Sequence, residues 1–180
     1  MIYHKHLYEI RDQNPLTGLP GNAKIAAYLE KTLYDGSTKR IYAYFDIDHF
    51  KSFNDHYGFR RGDRVILLLA SLLREAFPES QYFIGHIGGD DFFVGTKLCD
   101  TELSTFLEKV QEVLERFEKD VPSFYDQEDR KRGYILEEDR EGNTRQFPFV
   151  RATAILLCLP QGCATCTPDM LSEKAAQLKK

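Results

Sequence analysis

The stretch IYAYFDIDHFKSFNDHYGFRRGDRVILLLASLLREAF, residues 41–77, carries the pattern on which the fold turns. Its first five residues, Ile41 to Phe45, are continuously apolar and aromatic, which predicts a strand buried on both faces. Asp46-Ile47-Asp48 follows at once, where that strand should leave the core. Phe50, Phe53 and Tyr57 then recur at helical spacing, and Gly58 supplies a stop. Asp63 stands where an N-cap belongs and is expected to open a strongly amphipathic helix to about Phe77. Val65, Ile66, Leu69, Leu72 and Leu73 form its inward face.

Upstream, Asn14-Pro15 breaks the chain and Thr17-Gly18-Leu19-Pro20-Gly21 is turn-rich. Asn22 can cap a helix to about Tyr34, with Ile25, Leu29 and Leu33 on one face and Asp35-Gly36-Ser37 at its end. Residues 1–13 mix aromatics and charge and read as a linker or the end of a helix from an upstream region. Downstream, Tyr82 to Ile87 and Asp91 to Val94 read as strands joined by a tight hairpin at Gly88-Gly89-Asp90. Leu103 to Phe117 is a helix with Leu103, Phe106, Leu107, Val110, Val113 and Leu114 at period 3.6. Asp120 to Arg132 is charged and loop-like. Tyr134 to Glu138 and Thr144 to Phe147 pair around Glu141-Gly142-Asn143, Val150 to Leu159 is a second apolar strand, and Thr167-Pro168-Asp169 opens a last helix. The order predicts an α+β sandwich: one mixed, largely antiparallel sheet flanked by helices. Residues 14–180 read as one domain, with a charged hairpin inserted at about 120–147.

Composition narrows the function. The chain has 180 residues, enough for a real core without disulfides. Its net charge of −4 makes it a poor partner for nucleic acid, whose phosphates ask for basic surface. No apolar run approaches the ~18 residues of a membrane span, and MIYHKHLYEI lacks the apolar segment of a signal peptide. A soluble, cytoplasmic domain without membrane contact is the expectation. Cys163-Ala-Thr-Cys166 is a lone pair without a second pair or a nearby His, and reads as a reduced surface loop rather than a zinc site.

The chain has no P-loop, no dinucleotide fingerprint and no nucleophile elbow. From Asp46 an EF-hand also fails, because Phe50 and Lys51 occupy a ligand position and the turn-glycine position. What it has is carboxylates at strand ends. Asp46 and Asp48 sit at the C-terminal end of the buried strand; Asp90 and Asp91 sit at the Gly-Gly hairpin tip. If those strands are neighbours, their oxygens converge on one rim and ask for a hard cation such as Mg²⁺, with substrate phosphates completing its shell. The bland alternative is solvated turn residues. It is the better reading for Asp48 alone; Asp46 with the Gly-Gly-Asp-Asp tip favours function.

Together these residues resemble a known family. Phe45-Asp46-Ile47-Asp48-His49-Phe50-Lys51-Ser52-Phe53-Asn54-Asp55, then Gly58, Gly62-Asp63 and Gly88-Gly89-Asp90-Asp91-Phe92, are similar to the motifs of the GGDEF domain, the diguanylate cyclase family. Asn14-Pro15-Leu16-Thr17-Gly18-Leu19-Pro20 is similar to its DxLTGLP opening, with Asn14 in place of Asp. The resemblance implies a fold related to nucleotidyl cyclases and polymerase palms. It implies condensation of two GTP into cyclic di-GMP with release of pyrophosphate, by two facing copies of the domain. It also implies Mg²⁺ or Mn²⁺ held by Asp46, Asp90 and the Ile47 carbonyl, with Asp91 a third catalytic carboxylate. Asn54 and Asp63 match the guanine-reading pair, while Phe50, Lys51 and Lys180 match further substrate-binding positions. A carboxylate accepts from guanine N1–H and N2–H₂, and adenine lacks the latter. An unpaired buried acceptor then selects GTP over ATP by roughly tenfold to a hundredfold.

The departures are specific. Asp91 stands where the family has Glu, one methylene shorter, and a misplacement near 1 Å can cost ~10²-fold in rate. His86 stands where Arg is common, and Phe59 where His is common. The product-feedback RxxD reads Glu79-Ser80-Gln81-Tyr82, which implies no inhibition through that site. Three readings follow: a Mg²⁺-dependent cyclase; a GTP-binding module that regulates an attached output domain; or a dimerisation unit without nucleotide. Retention of the metal, guanine and phosphate positions disfavours the third.

Overall fold

The structure is a computed structural model that describes residues 12–34, 39–96, 102–138 and 144–161, with 167, 170, 171, 173 and 177. The predicted helix after the turn-rich opening is α1, Asn22–Tyr34. The apolar run from Ile41 is β1, Arg40–Asp48, and it is longer than its apolar part. Asp46 and Asp48 lie in its last three residues, at the C-terminal end where the sequence puts them. Two helices follow, α2 (Phe50–Tyr57) and α3 (Phe59–Ala76). The hairpin strands are β2 (Tyr82–Gly88) and β3 (Asp91–Thr96). Then come α4 (Leu103–Asp120), a short 3₁₀ turn (Val121–Phe124) and α5 (Gln127–Arg132). A second hairpin, β4 (Tyr134–Glu138) and β5 (Thr144–Pro148), precedes β6 (Arg151–Leu159).

Four strands form the central sheet in the order β2-β3-β1-β6, and each of these pairings is antiparallel. The hairpin β4–β5 is a separate two-stranded sheet. Alternation along β1 sorts its side chains onto two faces. Ile41, Ala43, Phe45 and Ile47 enter a large core with Val65, Leu69 and Leu73 of α3 and Phe106, Val110 and Phe117 of α4. Tyr42 and Tyr44 point the other way, onto Ile25 and Leu29 of α1 and Phe93 of β3. Helices thus cover both faces, as the apolar run of β1 requires. Complete burial of a Phe such as Phe45, Phe92 or Phe106 contributes about 1.5–3 kcal/mol each. Gly85 and Gly95 leave the groove that α1 fills. A Cβ on either would stand 2.4 Å from Ile25 Cγ1 or 2.5 Å from the Tyr28 hydroxyl.

Three expectations need correction. Asp63 is not an N-cap: α3 begins four residues earlier, and Asp63 lies inside its second turn, exposed. Gly58, at φ 81° and ψ 157°, separates α2 from α3, and its carbonyl accepts from the Arg61 and Gly62 amides. Leu107 is 39% exposed rather than inward, because α4 meets the sheet along the narrower Phe106-Val110-Val113-Phe117 stripe. The segment 120–132 is helical rather than loop-like. Its carboxylate Asp129 is buried, and charged residues are held there by specific pairing that periodicity does not register.

At the far end, the Thr167 hydroxyl accepts from the Met170 amide at 3.3 Å, which fits its predicted capping role, and Leu171 is buried. Residues 1–11, the turn at Asp35-Gly36-Ser37, the tip Glu141-Gly142-Asn143, Cys163, Cys166 and Lys180 lie outside the described residues.

Candidate active site

The carboxylates do meet. Phe45 of β1 is paired with Phe92 of β3, so one step further along the ladder Asp46 comes opposite Asp91. Residues opposite one another in an antiparallel pair share a face. The hairpin β2–β3 turns through Gly89 and Asp90, with Gly88 paired to Asp91. Gly88 has φ 151° and Gly89 φ 57°, a pair of conformations that suits glycine and brings Asp90 back over the sheet edge. One carboxylate oxygen from each of Asp46, Asp90 and Asp91 lies within 4.8 Å of the others, and all three side chains are half-buried. Among the described residues this is the one such acidic cluster. Ligands of octahedral Mg²⁺ stand ~3 Å apart when adjacent and ~4.2 Å apart when opposite, so carboxylate oxygens gathered this closely can close on one hard divalent ion by side-chain rotation. The Ile47 side chain is buried in the core, which leaves its backbone carbonyl as the one group it could offer.

A bulge at Ile87 shifts the β2–β3 register just before the tip. Beside it stands His86, a lone polar side chain in an apolar strand, 2% exposed and stacked on Phe92 with ring centroids 4.3 Å apart. Its Nε2 lies 3.0 Å from the Gly89 carbonyl, and its Nδ1 lies 3.0 Å from the Thr17 hydroxyl. A carbonyl only accepts, so Nε2 carries the proton and Nδ1 of the neutral ring accepts from Thr17. Burial lowers the His86 pKa, against smaller raising effects of the Gly89 carbonyl and Asp91. The opening NPLTGLP turn is in this way tied to the hairpin tip. The turn is itself tightly bonded. The Asn14 side-chain oxygen accepts from the amides of Leu16 (2.9 Å) and Thr17 (3.2 Å), as an Asp would, which explains why Asn serves there. The Pro20 carbonyl accepts from the His86 amide at 2.8 Å, and Arg74 donates to the Thr17 carbonyl at 2.6 Å. Sequence reasoning noted His86 as a departure and missed this linkage; a single imidazole in an apolar strand was its signal.

A second cluster lies at the α2–α3 junction. Among the described residues, His49 is the one non-glycine with positive φ, 62°, and it turns β1 directly into α2. Gly62 packs against α2 so closely that a Cβ would stand 1.8 Å from Asn54 Oδ1 and 3.2 Å from Phe50 Cζ. Asn54 Oδ1 is buried and has no protein hydrogen-bond partner. Asn54, Phe50 and Gly62 are therefore in contact, with Asp63 the next residue along α3. Lys51 is exposed in the first turn of α2.

The same α2 is braced from outside by the segment 121–132. Tyr57 and Arg132 both donate to the buried carboxylate of Asp129, and His56 Nε2 lies 3.5 Å from it. Arg61 bonds Asp126 at 2.9 Å and lies over the Tyr57 ring at 4.4 Å. Tyr125 stacks on Phe149, accepts from the Val150 amide at 2.8 Å, and has its hydroxyl pKa pushed up to about 12, chiefly by burial. Burial also pushes the Asp129 carboxyl up, but the bonds from Tyr57 and Arg132 outweigh it and the net pKa lies below the ordinary value.

With this geometry in view, the relatives are informative. The family described as diguanylate cyclase, GGDEF domain, matches residues 11–131. The chain belongs to that family. A diguanylate cyclase of Pseudomonas aeruginosa, DgcP, is 36% identical over 121 residues, covering 63% of this chain and 17% of that protein. A diguanylate cyclase of Vibrio cholerae is 28% identical over 118 residues, covering 63% of this chain and 35% of that protein. The chain thus spans well under half the length of either. Among solved structures, the coiled coil and GGDEF domain of Caulobacter crescentus DgcB, in complex with c-di-GMP, superposes with a TM-score of 0.71 at 19% identity. That match covers 98% of this chain and 82% of that one. It supports the antiparallel-sheet and helix architecture. No described helix is long and apolar enough to cross a membrane.

Proposed function

We propose that residues 14–180 act as a diguanylate cyclase domain that condenses two GTP into cyclic di-GMP. The observation that carries this reading is the convergence of Asp46, Asp90 and Asp91 at one sheet edge. Asp46, Asp90 and the Ile47 carbonyl would hold Mg²⁺ or Mn²⁺. When bound, the ion would spread the charge of the triphosphate as the 3′-hydroxyl of the other GTP attacks the α-phosphate. The glycine tip lets phosphates approach the backbone, and Lys51 lies in reach of solvent to meet them. Lys180 is proposed as a further phosphate contact. Asn54 and Asp63 would read guanine; the buried, unpartnered Oδ1 of Asn54 supports this, since an acceptor so placed rewards a donor that arrives with the ligand. Phe50 backs that pocket through Gly62. One chain offers one such set, so the reaction calls for a second copy facing it. The absence of RxxD predicts no product feedback through residues 79–82.

The test is incubation of the chain with GTP and Mg²⁺ or Mn²⁺ at high protein concentration, with cyclic di-GMP as the readout. Product that disappears in Asp46→Ala and Asp90→Ala supports the cyclase. The shorter Asp91 favours one other reading, a domain that binds GTP without useful turnover and regulates an attached output domain. Tight GTP binding without product would establish it.

A further inference from the structure

Phe59 is the most exposed large apolar side chain among the described residues, at 76%. It opens α3 immediately after Gly58, and its place on that helix is informative. Successive residues of an α-helix are rotated by about 100°, so Phe59 lies about 60° from the direction of Gly62 and about 40° from that of Asp63, between the two and one turn nearer the N-terminus. Gly62 faces the Asn54 amide, whose Oδ1 is buried and unpartnered; Asp63 is exposed on the other side. Residues three and four apart are neighbours on a helix surface, and side chains tilt toward the N-terminus, which sets the phenyl ring at the Gly58 end of α3 beside the Gly62–Asp63 turn. An exposed aromatic ring and two hydrogen-bonding groups thus share the first two turns of α3 and their contact with α2. A planar heterocycle whose edge met Asn54 and Asp63 would offer its face to that ring.

We propose that Phe59 is a substrate-affinity residue that stacks on the purine ring of the bound nucleotide. The inference rests on the guanine-reading assignment of Asn54 and Asp63. Stacking covers one base face while the polar pair reads the edge. Base–aromatic stacking has a size that truncation makes measurable, ~5- to 150-fold in affinity.

The chain contains no tryptophan, so Phe59→Trp installs a single reporter. The proposal expects GTP with Mg²⁺ to quench its emission with an affinity near that of the unchanged chain. Phe59→Ala should weaken binding by the factor above, equally for GTP and GMP because the lost contact is to the base, while Phe59→Tyr restores it. The thermal midpoint of Phe59→Ala should stay that of the unchanged chain, since the ring packs little. Wild-type binding that Asn54→Ala weakens but Phe59→Ala leaves within twofold overturns the stacking alone. Absence of GTP binding by the unchanged chain overturns both the stacking and the guanine-reading assignment. Emission that shifts with protein concentration and not with nucleotide overturns the proposal in favour of a protein contact.

Discussion

His86 Nδ1 and the Thr17 hydroxyl lie 3.0 Å apart across a sequence separation of 69 residues. That bond joins the opening turn to the strand that delivers the hairpin tip, and the other ring nitrogen holds the tip's Gly89 carbonyl. Thr17→Val leaves a buried imidazole nitrogen without its donor, at a cost of about 1–3 kcal/mol. The tip is expected to loosen with it, so Mn²⁺ affinity measured by calorimetry should fall in Thr17→Val. Unchanged affinity and stability would show that the contact has no positioning role.

The same imidazole sets a pH dependence. Burial holds its folded pKa below the unfolded value of 6.5. The unfolded chain therefore binds this proton more readily. The His86 contribution to stability is complete above about pH 6.5 and is lost as pH falls from there through the folded value. Denaturant midpoints should drop between about pH 8 and about pH 5.5, and the drop should be smaller in His86→Gln.

Gly62 is the position where a single methyl tests the pocket. Its Cβ would stand 1.8 Å from Asn54 Oδ1, so Gly62→Ala must displace the amide or open the α2–α3 contact. Overpacking of this kind costs about 1–3 kcal/mol, against a gain of about 1 kcal/mol in helix propensity. Stability should fall by at most about 2 kcal/mol while GTP affinity falls at least about tenfold, as denaturation and calorimetry would report.

Asp91→Glu restores the longer acid expected at the hairpin. If reach limits turnover, cyclic di-GMP formation should rise by about tenfold to a hundredfold. A rate that does not rise places the limitation elsewhere, for example in bringing two copies together.

Asp129→Asn removes the charge on which Tyr57, Arg132 and His56 converge. A loss of about 2 kcal/mol is expected in chemical denaturation, from hydrogen bonds weakened at a buried site. In the parent chain, the lowered Asp129 pKa gives stability that is present above the unfolded value of 3.8 and lost as pH falls through the folded one.

The sequence alone determined the elements whose burial follows a simple period. Ile41 to Phe45 could only satisfy five consecutive apolar residues inside a two-faced sandwich, and Val65 to Leu73 repeats at the helical period. It also singled out Asp46, Asp90 and Asp91, because charge at the end of an apolar strand is costly unless something uses it. It placed the start of α3 at Asp63, since a capping residue type looks the same inside a helix as before one; only the Gly58 backbone shows where the helix begins. It read 120–132 as loop-like, since two of the partners that hold Asp129 come from α2, with Tyr57 seventy-two residues away. The register that sets Asp46 beside Asp91, the space Gly62 leaves for Asn54, and the tautomer of His86 all depend on which atoms meet across long stretches of chain. Local patterning encodes which face a residue prefers; contact between remote residues is decided only when the sheet closes and the helices pack upon it.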